Sequence, residues 1–144
     1  MRFLVILFLV CGFYGAYHWW QDRNPSIEVA ISPNGFVPVE MPGGVGPNSV
    51  LVLAPRNCPS DQAQRTEVLV QELRRHGIPV VRGDSFLFDV ADPTHEQVAG
   101  IERAVGVFKR GAPAVFVNGM AMSNPSAAQT IAEYRATKGV RSIN

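Results

Sequence analysis

A chain of 144 residues with a net charge of +1 and a 47% hydrophobic composition has room for one modest core and not for two independent domains. Its charges are nearly balanced and form no long run of one sign, which excludes a broad electrostatic surface for nucleic acid. The two cysteines, Cys11 and Cys58, make no disulfide framework: the first lies in a hydrophobic N-terminus and the second in the later domain, so the soluble part carries a single thiol.

In chain order, Met1 and Arg2 precede an uncharged apolar run over residues 3–20. At 1.5 Å per residue the run approaches the hydrocarbon thickness of a bilayer and predicts a transmembrane anchor over residues 1–21. Tyr14, Tyr17, Trp19 and Trp20 gather at its far end, where amphipathic rings favour the membrane–water interface. The competing reading is a cleaved signal peptide, which needs small residues in an A-x-A-like pattern; residues 15–20 (Gly-Ala-Tyr-His-Trp-Trp) match it poorly. A lipoprotein signal at Cys11 fits less well still, because Val10 precedes the cysteine. Of these, the uncleaved, single-pass anchor is the preferred expectation. Arg2 and the free amine favour a cytoplasmic N-terminus, which puts the following domain on the extracytoplasmic side. Residues 22–48 hold Pro25, Pro33, Pro38, Pro42 and Pro47 with Gly43, Gly44 and Gly46, a composition that predicts a linker. Within it, residues 27–31 and 36–39 alternate enough to form short edge strands.

The folded domain is expected over residues 49–138, followed by a short tail, 139–144. Residues 49–53 (Ser-Val-Leu-Val-Leu) are a nearly continuous apolar run, the pattern of a strand buried on both faces. A helix opens at Cys58-Pro59-Ser60, with Thr66, Leu69, Val70 and Leu73 on one face, and stops at Gly77 and Pro79. Residues 78–81 read as the second strand; residues 86–88 (Phe-Leu-Phe) either extend it or belong to the loop. Asp92 or Thr94 caps a second helix, in which Val98, Ile101, Val105 and Phe108 recur at helical spacing and Lys109 and Arg110 suit the C-terminal dipole. Residues 114–117 form a third strand, Asn118-Gly119 is a strong hairpin signal, and residues 120–123 return. Asn124-Pro125 opens a last helix carrying Ala128, Ile131 and Tyr134. The first half implies a parallel βαβ unit, the second an antiparallel ββα unit.

This order, with Cys58-Pro59-Ser60-Asp61 at the first strand–helix junction and residues 111–119 (Gly-Ala-Pro-Ala-Val-Phe-Val-Asn-Gly) leading into the hairpin, resembles the thioredoxin superfamily, and most closely its glutaredoxin branch. The resemblance covers about residues 49–137. It implies a thioredoxin-like, three-layer α/β/α fold in which Pro113 follows a cis peptide bond and faces Cys58. Arg56, Pro59 and Ala112 would then line the binding surface, with Arg56 as counterpart of the family's basic residue near the first cysteine. The departures are informative. Asp61 stands where the resolving cysteine would be, which excludes a dithiol cycle within the domain. Ser123-Asn124-Pro125-Ser126 replaces the Gly-Gly pair and acidic residues that help glutaredoxins hold glutathione, so no cofactor is expected.

Two functions follow. In one, the domain is a binding or scaffold module of the cell envelope, whose groove around Cys58 and Pro113 docks a protein partner. In the other, Cys58 performs monothiol exchange. A thiolate at a helix N-terminus is stabilised by unpaired amides and the helix dipole, with Arg56 assisting and Asp61 opposing. Other chemistries have weaker support. His18, His76 and His95 lack metal-ligand spacing, and Asp84, Asp89 and Asp92 lack a calcium-loop pattern. Met120 and Met122 suit packing on a strand, and no nucleophile-triad signature or phosphate-binding glycine loop is present.

Overall fold

A computed structural model describes residues 11–12, 14, 29–57 and 59–139. Nearly all of the expected anchor and residues 140–144 lie outside the described residues. Among the described residues, no helix is long and apolar enough to cross a membrane.

The fold is α/β. Strands β1 (Val37–Pro38), β2 (Val50–Leu53), β3 (Val80–Gly83), β4 (Ala114–Val117) and β5 (Met120–Ser123) form one sheet in the order β1-β5-β4-β2-β3. Helices α1 (Ser60–Arg75), α2 (His95–Arg110) and α3 (Ala127–Thr137) pack on it. Strands β2 and β3 are parallel, joined through α1, while β4 runs antiparallel to both β2 and β5. The hairpin turns through Asn118 and Gly119, with φ of 46° and 83°. Positive φ at both positions is the backbone of a type I′ turn, whose twist matches the strands it joins.

Every residue of β2 and β4 is buried, and the pleat sends alternate side chains to opposite faces. Val50, Val52, Val115 and Val117 pack with Leu69, Val70 and Leu73 of α1 and with Ile131 and Tyr134 of α3. On the other face, Leu51, Leu53, Ala114 and Phe116 pack with Ala104 and Val107 of α2. Helices on both faces are the reason these strands read as continuous apolar runs. Phe86 and Phe88 extend no strand; their loop folds over the second face, where Phe86 meets Phe88, Phe108 and Phe116 with ring centroids 5.3, 5.2 and 5.9 Å apart.

The helix ends refine the expected boundaries. Thr94 caps α2 through a capping box with Gln97, and Ser126 caps α3 through one with Gln129. The last helix thus begins after Ser126 rather than at Asn124-Pro125, because Ser126 has a glutamine three residues on to complete the reciprocal pair. The buried face of α1 consists of Thr66, Leu69, Val70 and Leu73, the residues its periodicity marks. The α2 face is only partly the expected one: Phe108 packs against the second core, but the buried residues are Gly100, Ala104 and Val107, and Val98 is exposed. In α3, Ala128 is exposed and Glu133 is buried.

Both exceptions have one cause, the segment expected to be a linker. In its described part, residues 29–48 form a strap across the fold. Phe36 is fully buried in the core, and Val37, Val39, Met41 and Val45 pack against the α2 face. The short β1 pairs with β5, and the Val39 amide donates to the Gly119 carbonyl at 2.8 Å. Proline and glycine mark a chain with few ladder hydrogen bonds, and that composition is shared by free linkers and by packed irregular segments. Glu133 Oε2 accepts from Ser32 Oγ and Asn34 Nδ2, each at 2.8 Å, and so ties the strap to α3. Arg103 Nε donates to the Pro38 carbonyl at 2.7 Å. Pro38 has no amide hydrogen, so with its carbonyl engaged β1 offers a neighbouring chain little to pair with.

The strap passes so close to α2 that a Cβ at Gly100 would lie 2.8 Å from the Glu40 backbone nitrogen. Gly100→Ala gains about 1 kcal/mol of helix propensity but forces a displacement of backbone, for which overpacking costs about 1–3 kcal/mol. A net loss of stability is expected, read as a lowered urea midpoint with an unchanged m value. Glu133→Ala leaves Ser32 and Asn34 without their acceptor and is expected to cost about 2–3 kcal/mol. Limited proteolysis of that variant should cut first within residues 29–45.

Candidate functional site

The site residues are gathered by strand register. Leu53 pairs with Ala114 across β2 and β4, with Gly83 across β2 and β3, and Ala114 pairs with Ser123 across β4 and β5. The chain leaving β2 at residues 54–57, the chain leaving β3 at Asp84 and the loop entering β4 at residues 111–113 therefore lie at one end of the sheet. The ladder runs one step further, with the Ala54 amide donating to the Gly83 carbonyl at 3.0 Å.

Pro113 is buried at the entry to β4, and the Ala112–Pro113 peptide is cis. The loop is fixed on both sides. The Asn124 amide donates to the Pro113 carbonyl at 2.7 Å, and Ser123 Oγ donates to the Gly111 carbonyl at 3.0 Å. Ala112 is largely covered, and among the described residues no hydrogen bond engages its amide or its carbonyl. Gly111, which ends α2, has a φ of 142°, a conformation that side chains disfavour.

Cys58 lies outside the described residues; its neighbours Asn57 and Pro59 are described. Pro59 is exposed and is the N-cap of α1, not a residue of its first turn. Its carbonyl accepts from the amides of Gln62 and Ala63, both at 3.0 Å, and no side chain caps this end. The first-turn amides of Ser60 and Asp61 thus stand at the positive end of the helix.

The charges around this end are paired. Arg56 Nε donates to Asp84 Oδ2, so the expected basic neighbour of Cys58 is engaged with a carboxylate. Asp61 is held by Arg65 one turn along α1, at 3.1 Å, which partly answers its negative charge. The partners Asp84 and Arg65, and the loop anchor Ser123, adjoin the candidate residues in contacts that motif reading does not indicate. Arg65 alone left a sequence signal, the i, i+4 spacing from Asp61. Asp84 reaches Arg56 only through the β2–β3 pairing.

Among the described residues, no group of three His, Cys, Asp or Glu side chains could hold a metal ion. Searches against protein-family models, curated proteins and solved structures find no match to this chain.

The Arg56 guanidinium, through its hydrogen bond and its charge, lowers the Asp84 pKa below the ordinary carboxylate range. The contact therefore contributes fully above the ordinary aspartate pKa and is lost as pH falls through the lowered one. Exposure of Arg56 to solvent keeps the stability effect small. Carboxyl NMR titration is expected to find Asp84 titrating below the ordinary aspartate value, and Arg56→Ala should return it toward that value.

Proposed function

We propose that this chain is a membrane-held module of thioredoxin-like fold, glutaredoxin type, whose domain lies outside the cytoplasm. Its site, at the sheet end shared by Arg56, Asn57, Pro59 and residues 111–113, docks an extended segment of a protein partner. The fold reading is supported by a parallel strand pair joined through a helix, followed by an antiparallel hairpin that pairs beside its first strand. One observation carries the site reading: the Pro113 loop at the entry to β4, set by register beside the exit of β2 that leads to Cys58. The peptide groups of Ala112, without hydrogen-bond partners among the described residues, are the groups an added strand would engage. The anchor reading rests on the composition of residues 3–20.

The uncapped start of α1 favours a second reading, monothiol exchange. In that reading the Cys58 thiolate attacks one sulfur of a partner disulfide. The disulfide bond breaks, a mixed disulfide forms, and the other partner sulfur leaves as thiolate. Asp61 occupies the resolving position, so a second thiol, from the partner or a small molecule, releases Cys58 and takes over the bond.

The alkylation rate of Cys58 against pH separates the two readings, measured on the full chain in detergent with Cys11 replaced by serine. For a docking module, the rate should rise only toward the ordinary thiol pKa of about 8.5. Partner capture should then survive Cys58→Ser. A plateau well below that pH, with capture lost in Cys58→Ser, assigns the site to thiol exchange.

A further inference from the structure

We propose that the face formed by α2 and the start of the strap is turned toward an anionic lipid surface. The proposal rests on the reading of residues 1–21 as a membrane anchor, and it says which side of the domain the membrane meets.

The first observation is where the fold begins. Residues 29–48 are not free tether: Ser32 and Asn34 are held by Glu133, Phe36 is in the core, and Pro38 is bonded to Arg103. Only residues 22–28 then separate the anchor from the domain. Fully extended, they reach at most about 25 Å, against roughly 95 Å had residues 22–48 all been free. That distance is comparable to the width of a small domain. The surface around the first fixed residues therefore stays near the bilayer.

The second observation is the chemistry of that surface. Val29 and Ile31 line an open groove of about 630 Å³ together with α2 residues that include Arg103, Gly106 and Arg110. Ile31 is 64% exposed, and Arg110 is exposed in the last turn of the helix. Among the described residues, Glu102 is the single acidic residue of the groove, against two arginines, of which Arg103 also donates through Nε to the Pro38 carbonyl. Guanidinium groups bind phosphate in a fork geometry, and an exposed isoleucine beside them suits the boundary between headgroups and acyl chains. Attraction of basic side chains to an anionic leaflet decays within a Debye length, so it needs the short tether that the strap imposes.

The test uses the full chain with Cys11 and Cys58 replaced by serine, reconstituted in lipid nanodiscs. A fluorophore is placed by Gly106→Cys in the groove or by Gln71→Cys on α1, which packs on the opposite face of the sheet. A cysteine side chain at Gly106 meets open space, and Gln71 is exposed. Quenching by a headgroup-attached nitroxide lipid is compared in phosphatidylcholine discs with and without phosphatidylglycerol. With phosphatidylglycerol present, the groove label should be quenched at least about twofold more than the α1 label, and Arg110→Glu should remove most of that difference. Equal quenching at the two positions, in chains that elute with the discs, overturns the proposal and leaves the anchor intact. A difference that ignores both phosphatidylglycerol and Arg110→Glu overturns the recognition of anionic lipid. Chains that do not stay with the discs overturn the anchor reading and this proposal with it.

Discussion

The antiparallel pairing of β2 with β4, buried on both faces, is the constraint on which the rest of this structure depends. Each strand sends two side chains to either side, and each side needs its own cover of helix. Full burial of a valine, leucine or phenylalanine side chain contributes about 1.5–3 kcal/mol, and the two strands hold eight buried residues between them. With α1 and α3 on one face and α2 on the other, no strand slip is tolerated. A shift by one residue would exchange the side chains of the two cores, placing Phe116 where Val115 or Val117 now packs. The same register sets Leu53 opposite Ala114 and so decides which loops share the end of the sheet. The position of Pro113 relative to the β2–α1 junction is a consequence of core packing.

The strap completes the fold at the other side of the sheet. Its strand is two residues long, too short to stand by itself. It is held by burial of Phe36, by a carboxylate in α3 and by a guanidinium in α2. Glu133 is nearly free of solvent, and both its donors come from the strap. Desolvating a carboxylate is costly, and here two donors about a hundred residues away in the chain offset that cost. The strap is thereby joined to both helical layers, and a stretch that would otherwise be a tether becomes part of the rigid body. The proposed orientation at a membrane follows from that rigidity, because a shorter tether leaves less freedom to turn.

At the proposed docking end, the electrostatics favour a quiet site over a strongly activated one. Arg56 is drawn to Asp84, and Asp61 is answered by Arg65, so neither charge acts alone on its surroundings. What remains is the start of α1, where Pro59 caps with its carbonyl only. The loop at Pro113 is fixed by Asn124 and Ser123, both from the strand end it neighbours, so the surface that the proposed partner would meet is preformed.

Local chemistry was sufficient for much of this. The apolar runs of β2 and β4, the Asn118-Gly119 turn, the α1 face and the stop at Gly77 were all legible, because each depends on neighbours a few residues away. The paired site charges and the strap were decided by tertiary structure. Nothing near Arg56 in the chain indicates Asp84, and nothing near Glu133 indicates Ser32 and Asn34. The buried face of α2 shows the same limit. Its larger apolar residues, Val98 and Ile101 among them, predicted one contact face, but the strap passes against α2 at Gly100, where a Cβ would meet the Glu40 backbone. The residues of this chain determined its elements; how near two distant backbones could come determined which sides of those elements were buried.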